Sequence, residues 1–276
     1  MKICLIGSGN VGTHLGKALV LSGHEIVQIF SRSSAHAETL VKQLTDLLGP
    51  LPQHPHVITD IQDLEKQSDL YIICVSDRAI SSVIAQLPTD LSGIVVHTSG
   101  STSMDVFAEL PNTHPNLKYG VFYPLQTFTK GKEIDFNVIP LALEAQDEEV
   151  YQVLETLAKP LSQNVFPCSS KQREALHIAA VFACNFSNYF FHEAEKLLER
   201  NQLSFDLVRP LILEMATKAQ VISPRFGQTG PAVRKDWNIV QKHLDFLDND
   251  PETDPRIRRM YEELSVMISE MNDDKA

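Results

Sequence analysis

Cysteine is scarce in this chain of 276 residues: there are four, Cys4, Cys74, Cys168 and Cys184. None pairs with another as C-x-x-C, and their spacing suits neither a zinc knuckle nor a disulfide framework. All four read as buried thiols in a reducing compartment. Basic residues are also in short supply: 24 Lys and Arg against 35 Asp and Glu give a formal net charge of −11. A surface of that sign repels phosphate backbones and anionic bilayers, so neither nucleic acid nor a membrane is an expected partner. Long hydrophobic runs are missing too. The most apolar long stretch, 175–191, contains His177, Asn185, Ser187 and Asn188 and falls short of the roughly 20 apolar residues of a membrane span. Its expected state is a helix buried on most sides. The few apolar residues before Gly7 do not make a signal-peptide core, and the expected localisation is cytoplasmic. There is no H-E-x-x-H and no G-x-S-x-G, and His54 and His56 have no partner ligands nearby, so no metal is expected.

What is present is ordinary globular material, 43% hydrophobic and 21% charged, enough for about two domains at roughly 150 residues each. Short apolar runs alternate with amphipathic stretches in the first half. Strands are expected over 2–6, 25–30, 57–59, 70–75 and 93–97, with helices over 11–22, 35–48, 61–67 and 78–87. That rhythm predicts a doubly wound, mostly parallel sheet covered on both faces. Strands over 119–123, 138–144 and 164–167 and a helix over 148–161 follow, with a proline-rich connection at 50–55. Beyond Cys168 the strand signal stops. Helices are expected over 170–200, 204–223, 235–246 and 255–271, with a frayed acidic tail after Met271. The chain thus divides into an α/β domain over 1–168 and an all-helical domain over 169–276.

The strongest chemical signal is Gly7-Ser8-Gly9-Asn10-Val11-Gly12, directly after the first strand and opening the first helix. In that setting Gly7 permits a tight turn, Gly9 leaves room for a pyrophosphate, and Gly12 lets helix and strand pack closely. The helix N-terminus then offers free N–H groups and a positive dipole end to phosphates. A dinucleotide specific for an unphosphorylated ribose usually meets an acid at the end of the second strand. Here that strand ends in Ser31-Arg32-Ser33. A guanidinium between two hydroxyls suits a 2′-phosphate, so NADP is the expected cofactor.

Ligands of open α/β sheets bind beyond the carboxyl ends of the strands. That places Val75-Ser76-Asp77 and His97-Thr98-Ser99-Gly100-Ser101 beside the nicotinamide ribose. Asp77 reads either as a contact there or as the N-cap of the helix after it. Ser99 and its neighbours either hydrogen-bond substrate or cap a helix over 102–110. His97, closing a buried strand, reads as a core histidine.

Gly7–Gly12, Ser31-Arg32-Ser33, His97–Ser101, Pro124-Leu125-Gln126-Thr127-Phe128, the helix around Ala175–Ala180, and Gly230-Pro231-Ala232 with Arg234 and Asp236 together resemble the DUF2520 family. These are Rossmann-like proteins with a C-terminal helical domain, described as NADP oxidoreductases. The resemblance covers nearly the whole chain. It departs at Tyr123, where the family pattern leads us to expect histidine. More distantly the layout is similar to ketopantoate reductase, pyrroline-5-carboxylate reductase and the β-hydroxyacid dehydrogenases. That likeness implies a helical domain closing over the nicotinamide. The Lys–Asn pair of the last group is absent here, since Lys171 is followed four residues later by Ala175.

At 100° per residue, Ser170, His177, Val181, Cys184 and Asn188 share one stripe of the 170–200 helix. Either it lines a cleft, with His177 and Asn188 as catalytic groups alongside Ser99, or it carries hydrogen bonds between helices. Cys184 reads as packing. Arg234 and Lys235 could reach an anionic substrate group or be ordinary surface charge. The apolar 175–191 stretch exceeds what a helical domain of about 100 residues can cover alone, so a homodimer through that domain is expected. Two functions follow. One is hydride transfer between NADP(H) and a small carbonyl, imine or alcohol held between the domains; the other is a non-catalytic NADP-binding regulator or sensor.

Overall fold

The computed structural model describes residues 1–49 and 54–271; the proline-rich stretch 50–53 and the tail after Met271 lie outside the described residues. Two compact units divide the chain at Tyr189 and Phe190, inside the helical run that follows Ser170.

The first unit is built on one eight-stranded sheet in the order β3-β2-β1-β4-β5-β6-β7-β8. The strands are β1 Lys2–Ile6, β2 Glu25–Phe30, β3 His56–Ile58, β4 Leu70–Ile73, β5 Gly93–His97, β6 Leu117–Pro124, β7 Leu141–Ala145 and β8 Val165–Pro167. Every pairing is parallel except β6 with β7. The pleat explains the sequence pattern. Ile3, Leu5 and Ile72 point to one core, while Cys4, Ile6, Tyr71 and Ile73 point to the other. Central β4 is buried on both faces and therefore reads Leu-Tyr-Ile-Ile without alternation.

Helices α1 Asn10–Leu21, α2 Ser34–Leu48, α3 Asp77–Ile84, the single turn α4 Leu110–Thr113 and α5 Glu148–Ala158 accompany the sheet. Ala37 and Leu40 of α2 and Val150 and Leu154 of α5 join the first core, and Ile80 and Ile84 of α3 join the second. The expected helix over 61–67 is only a 3₁₀ turn, Ile61–Asp63, held by the Asp60 carboxylate accepting from the Gln62 N–H. The one expected over 102–110 is likewise a 3₁₀ turn, Met104–Phe107, capped by Ser103 rather than by Ser99.

After α6 Ser170–Ala180 comes a π-helical stretch, Val181–Phe186, and then α7 Ser187–Arg200. This corrects the uniform helix assumed from the sequence. A π turn holds more residues than an α turn, so positions beyond it fall out of phase with those before it. The second unit continues with α8 Arg209–Val221, the single turn α9 Pro224–Gly227, α10 Trp237–Asn249 and α11 Pro255–Glu270. The 175–191 stretch is not the buried helix its composition predicts. In the single chain Phe182 is 64% exposed, and Ile178 and Phe186 are exposed as well. Cys4, Cys74 and Cys168 are buried as expected, but Cys184, on the same stretch, is exposed. No helix among the described residues is long and apolar enough to cross a membrane, and they contain no cluster of three or more metal-ligating side chains.

Candidate functional site

The glycine-rich turn is shaped by close contacts. Gly7 has φ +115°, and a Cβ there would lie 2.7 Å from the Cys74 carbonyl oxygen. A Cβ on Gly12 would overlap the Gly7 carbonyl oxygen and press on Cys74. Gly9 is different: a Cβ there meets only the Cys74 oxygen, at 3.9 Å. The protein itself therefore leaves the space over Gly9 open at the N-terminus of α1, which is the cradle a pyrophosphate requires. Ser8 Oγ donates to Ser31 Oγ across 3.0 Å, and the Ser33 N–H donates to the same Ser31 oxygen, tying the turn to the end of β2. Ser31 is buried while Arg32 beside it is exposed. Val11 is half-buried at the start of α1. Asn10 uses its side chain internally: Nδ2 donates to the Phe128 carbonyl at 2.8 Å. His14 stacks on Phe128 and donates from Nε2 to the Thr129 carbonyl, so residues 128–129 lie against the start of this helix.

The sheet reverses its winding between β1 and β4, and open α/β sheets hold their ligands beyond the carboxyl ends of the strands at such a switch point. Val75 is half-buried and Ser76 exposed just past β4. The N-cap of α3 is Ser76, not Asp77. Asp77 is the first helical residue, where the helix dipole favours its charge, and its carboxylate accepts from Ser101 Oγ at 2.8 Å. Thr98 is buried, its hydroxyl spent on the Ile73 carbonyl. Ser99 is buried as well; its Oγ accepts from the N–H groups of Ser101 and Thr102, shaping the turn. His97 is fully buried, stacks on Phe107, and accepts at Nδ1 from the Ser99 N–H. Burial first, and the nearby Arg173 charge second, push its pKa down to about 4, so it is a neutral core residue at neutral pH.

Arg173 is the residue sequence reasoning missed. Its side chain is 1% exposed, yet it donates from Nε to the Ser99 carbonyl, from one terminal nitrogen to Glu144, and from the other to the Thr102 carbonyl and Ser170 Oγ. Glu144, at the end of β7, also accepts from the Ser170 N–H and hydroxyl. One buried ion pair thus joins β7, the turn after β5 and the first turn of α6. That turn carries a capping box between Ser169 and Gln172.

One turn further along α6, His177 Nδ1 stands 3.1 Å from the hydroxyl of Tyr123, which closes β6. Burial, then the charge of Asp77, raise the Tyr123 pKa to about 12 against the pull of Arg173. Of the expected stripe, Ser170 and His177 reach this corner. Asn188, past the π-helical stretch, is exposed.

Comparison with known proteins bears on this arrangement. Residues 2–99 match the family model described as NADP oxidoreductase, coenzyme F420-dependent, and residues 139–268 match the domain of unknown function DUF2520. A Bacteroides fragilis protein, provisionally named an NADP oxidoreductase, is 37% identical, with 98% of both chains covered and a TM-score of 0.82. A 1-pyrroline-5-carboxylate reductase of Streptococcus pyogenes is 16% identical over 98% of both chains, TM-score 0.61. An imine reductase of Myxococcus stipitatus, solved with NADP+, is 16% identical over 99% of this chain and 93% of its own, TM-score 0.60. At that identity the last two share the fold alone. Curated proteins give no match. With its glycine cradle inside the first matched region, its helical run inside the second and a 37% identical relative along its whole length, the chain belongs to the DUF2520 family of NADP-oxidoreductase-type proteins.

Proposed function

We propose that this protein is an NADP-dependent reductase of a small carbonyl or imine, running toward the alcohol or amine or in reverse. The observation that carries the reading is the Tyr123–His177 contact, a proton-donor pair at the carboxyl end of β6, the same end of the parallel strands that carries the glycine cradle after β1. Gly7, Gly9, Gly12 and the backbone of Ser8, Asn10 and Val11 would hold the pyrophosphate. Arg32, with Ser31 and Ser33, would take the 2′-phosphate through a planar, bidentate fork. Val75, Ser76, Asp77 and Thr98 would border the nicotinamide ribose. The bound cofactor supplies a hydride.

The rest of the chemistry falls to side chains. His177 and Tyr123 present a protonated group to the developing negative charge on oxygen or nitrogen. Ser99 holds the turn that carries Ser101, which itself donates to Asp77 at the start of α3, and its hydroxyl would be the candidate for a substrate contact there. Asn188 would take part only if substrate extends along α7. Incubating pure protein with NADPH and a panel of cyclic imines, keto acids and aldehydes tests the reading. Substrate-dependent loss of absorbance at 340 nm supports it. NADPH binding without oxidation by any member points instead to a sensor.

We further propose a homodimer through the helical region. Support comes from α8, a helix of 13 residues with none buried, on which Leu211, Leu213, Met215 and Val221 all face solvent in the single chain. A helix of that length is marginal in water without cover. The exposed Phe182 and Phe186 extend the same demand.

A further inference from the structure

Three segments meet at the Tyr123–His177 contact: the end of β6, the middle of α6 and Gly100 after β5. A Cβ at position 100 would lie 2.7 Å from His177 Nδ1 and equally close to Cζ and Oη of Tyr123. Any side chain there would part the two rings, which sit edge to face with centroids 6.2 Å apart. Arg173, one turn earlier on α6, fixes that helix against the Ser99 and Thr102 carbonyls. The charged groups around the pair are Asp77, held by Ser101, and Arg173, neutralised by Glu144; neutral His97 lies behind Ser99.

We infer that Tyr123 is the residue that hands the proton to the substrate, and that His177 is a positioning residue acting through it. The inference rests on the reductase reading above. A phenol has one proton. If it donates to Nδ1 of His177, that proton is spent inside the protein. If it accepts from an Nδ1–H, the proton is free for a ligand. Ser170, Glu144 and Arg173 satisfy one another, and among the described residues His177 Nε2 has no hydrogen-bond partner, so the ring is free to carry its proton on Nδ1. Bound NADPH would supply the hydride for the substrate carbon, which leaves one proton for the protein to deliver. The Tyr123 O–H bond breaks as a new bond to hydrogen forms on the substrate nitrogen or oxygen. The His177 Nδ1–H bond breaks as the Tyr123 O–H re-forms, while a hydronium ion of the solvent gives its proton to Nε2 and leaves as water. The ring then carries its proton on Nε2 and returns to the Nδ1–H form by proton exchange with water, so the net proton comes from solvent.

Two measurements decide it. The first needs no substrate: long-range proton–nitrogen NMR of ¹⁵N-labelled protein at pH 8, with the His177 ring assigned by its loss in His177→Gln. The expected result is a neutral ring protonated at Nδ1, with that preference lost in Tyr123→Phe. A ring protonated only at Nε2 overturns the inference. The second uses NADPH and 1-pyrroline, or whichever panel member turns over. Tyr123→Phe should lower kcat by about 10²–10⁴-fold with NADPH affinity within about twofold. His177→Gln should lower kcat less and leave KM unchanged, the split expected of a residue that acts through Tyr123. Gly100→Ala, which forces the rings apart, should resemble Tyr123→Phe. A wild-type rate retained in Tyr123→Phe overturns the inference alone. A wild type that oxidises NADPH with no panel member overturns the reductase reading and this role together.

Discussion

Two single residues carry testable consequences. Arg32 stands exposed between two hydroxyls at the end of β2, where an acid would have favoured an unphosphorylated ribose. NADPH is expected to bind more tightly than NADH by about tenfold to a hundredfold, the worth of a charge-assisted bidentate contact of roughly 1.5–3 kcal/mol. Arg32→Ala should erase most of that gap in titration calorimetry, and equal affinities in the unaltered protein would refute the assignment. His97 acts on stability. Its pKa is depressed to about 4 in the fold, against about 6.5 in an unfolded chain. The unfolded state therefore binds more protons between those values, so the contribution is whole above about pH 6.5 and drains away as pH falls toward 4. The loss is on the order of 3 kcal/mol. Urea unfolding at pH 7.5 and pH 4.5 should show a steeper decline for the wild type than for His97→Gln, which has nothing to titrate there.

At the scale of elements, the α6 N-terminus is the sharpest case. Its capping box satisfies two backbone N–H groups at the turn that also presents Ser170 and Arg173. Ser169→Ala should cost about 1 kcal/mol in urea unfolding while leaving NADPH affinity unchanged, because the glycine cradle is elsewhere. The same helix shows what could be read from the sequence. Strands β1, β2 and β5 fall on their expected ranges because apolar runs bounded by Gly or polar residues have few alternatives. The shape of the glycine turn was legible because Gly7 and Gly12 are dictated by local overlap. Arg173 was not, since a lone basic residue near a helix start looks like surface charge. Its partners Glu144, Ser99 and Thr102 are 29 to 74 residues away in sequence. Nor was the π-helical stretch: nothing in Val-Phe-Ala-Cys-Asn-Phe distinguishes it from an α-helix, yet it breaks the 100° phase on which the stripe from Ser170 to Asn188 was drawn. Tyr123 looked like a departure from a family pattern; its hydroxyl turned out to face the histidine on α6.

For the whole molecule, the proposed dimer predicts twice the chain mass by light scattering at micromolar concentration. Leu211→Glu with Val221→Glu should shift it toward single chains and lower the melting temperature, since the surface left bare is apolar. A single-chain mass for the unaltered protein would exclude the dimer. The sheet bears on how copies can meet. Its two borders are β3 and β8, three residues each, and β8 ends in a proline that has no N–H to offer. Such borders give a neighbouring chain almost no ladder to extend. Self-association is thereby steered away from strand-by-strand growth, which has no natural end, toward helix-on-helix contact, which can close on itself. A protein with this much bare apolar surface should stop at a finite assembly rather than grow into fibres.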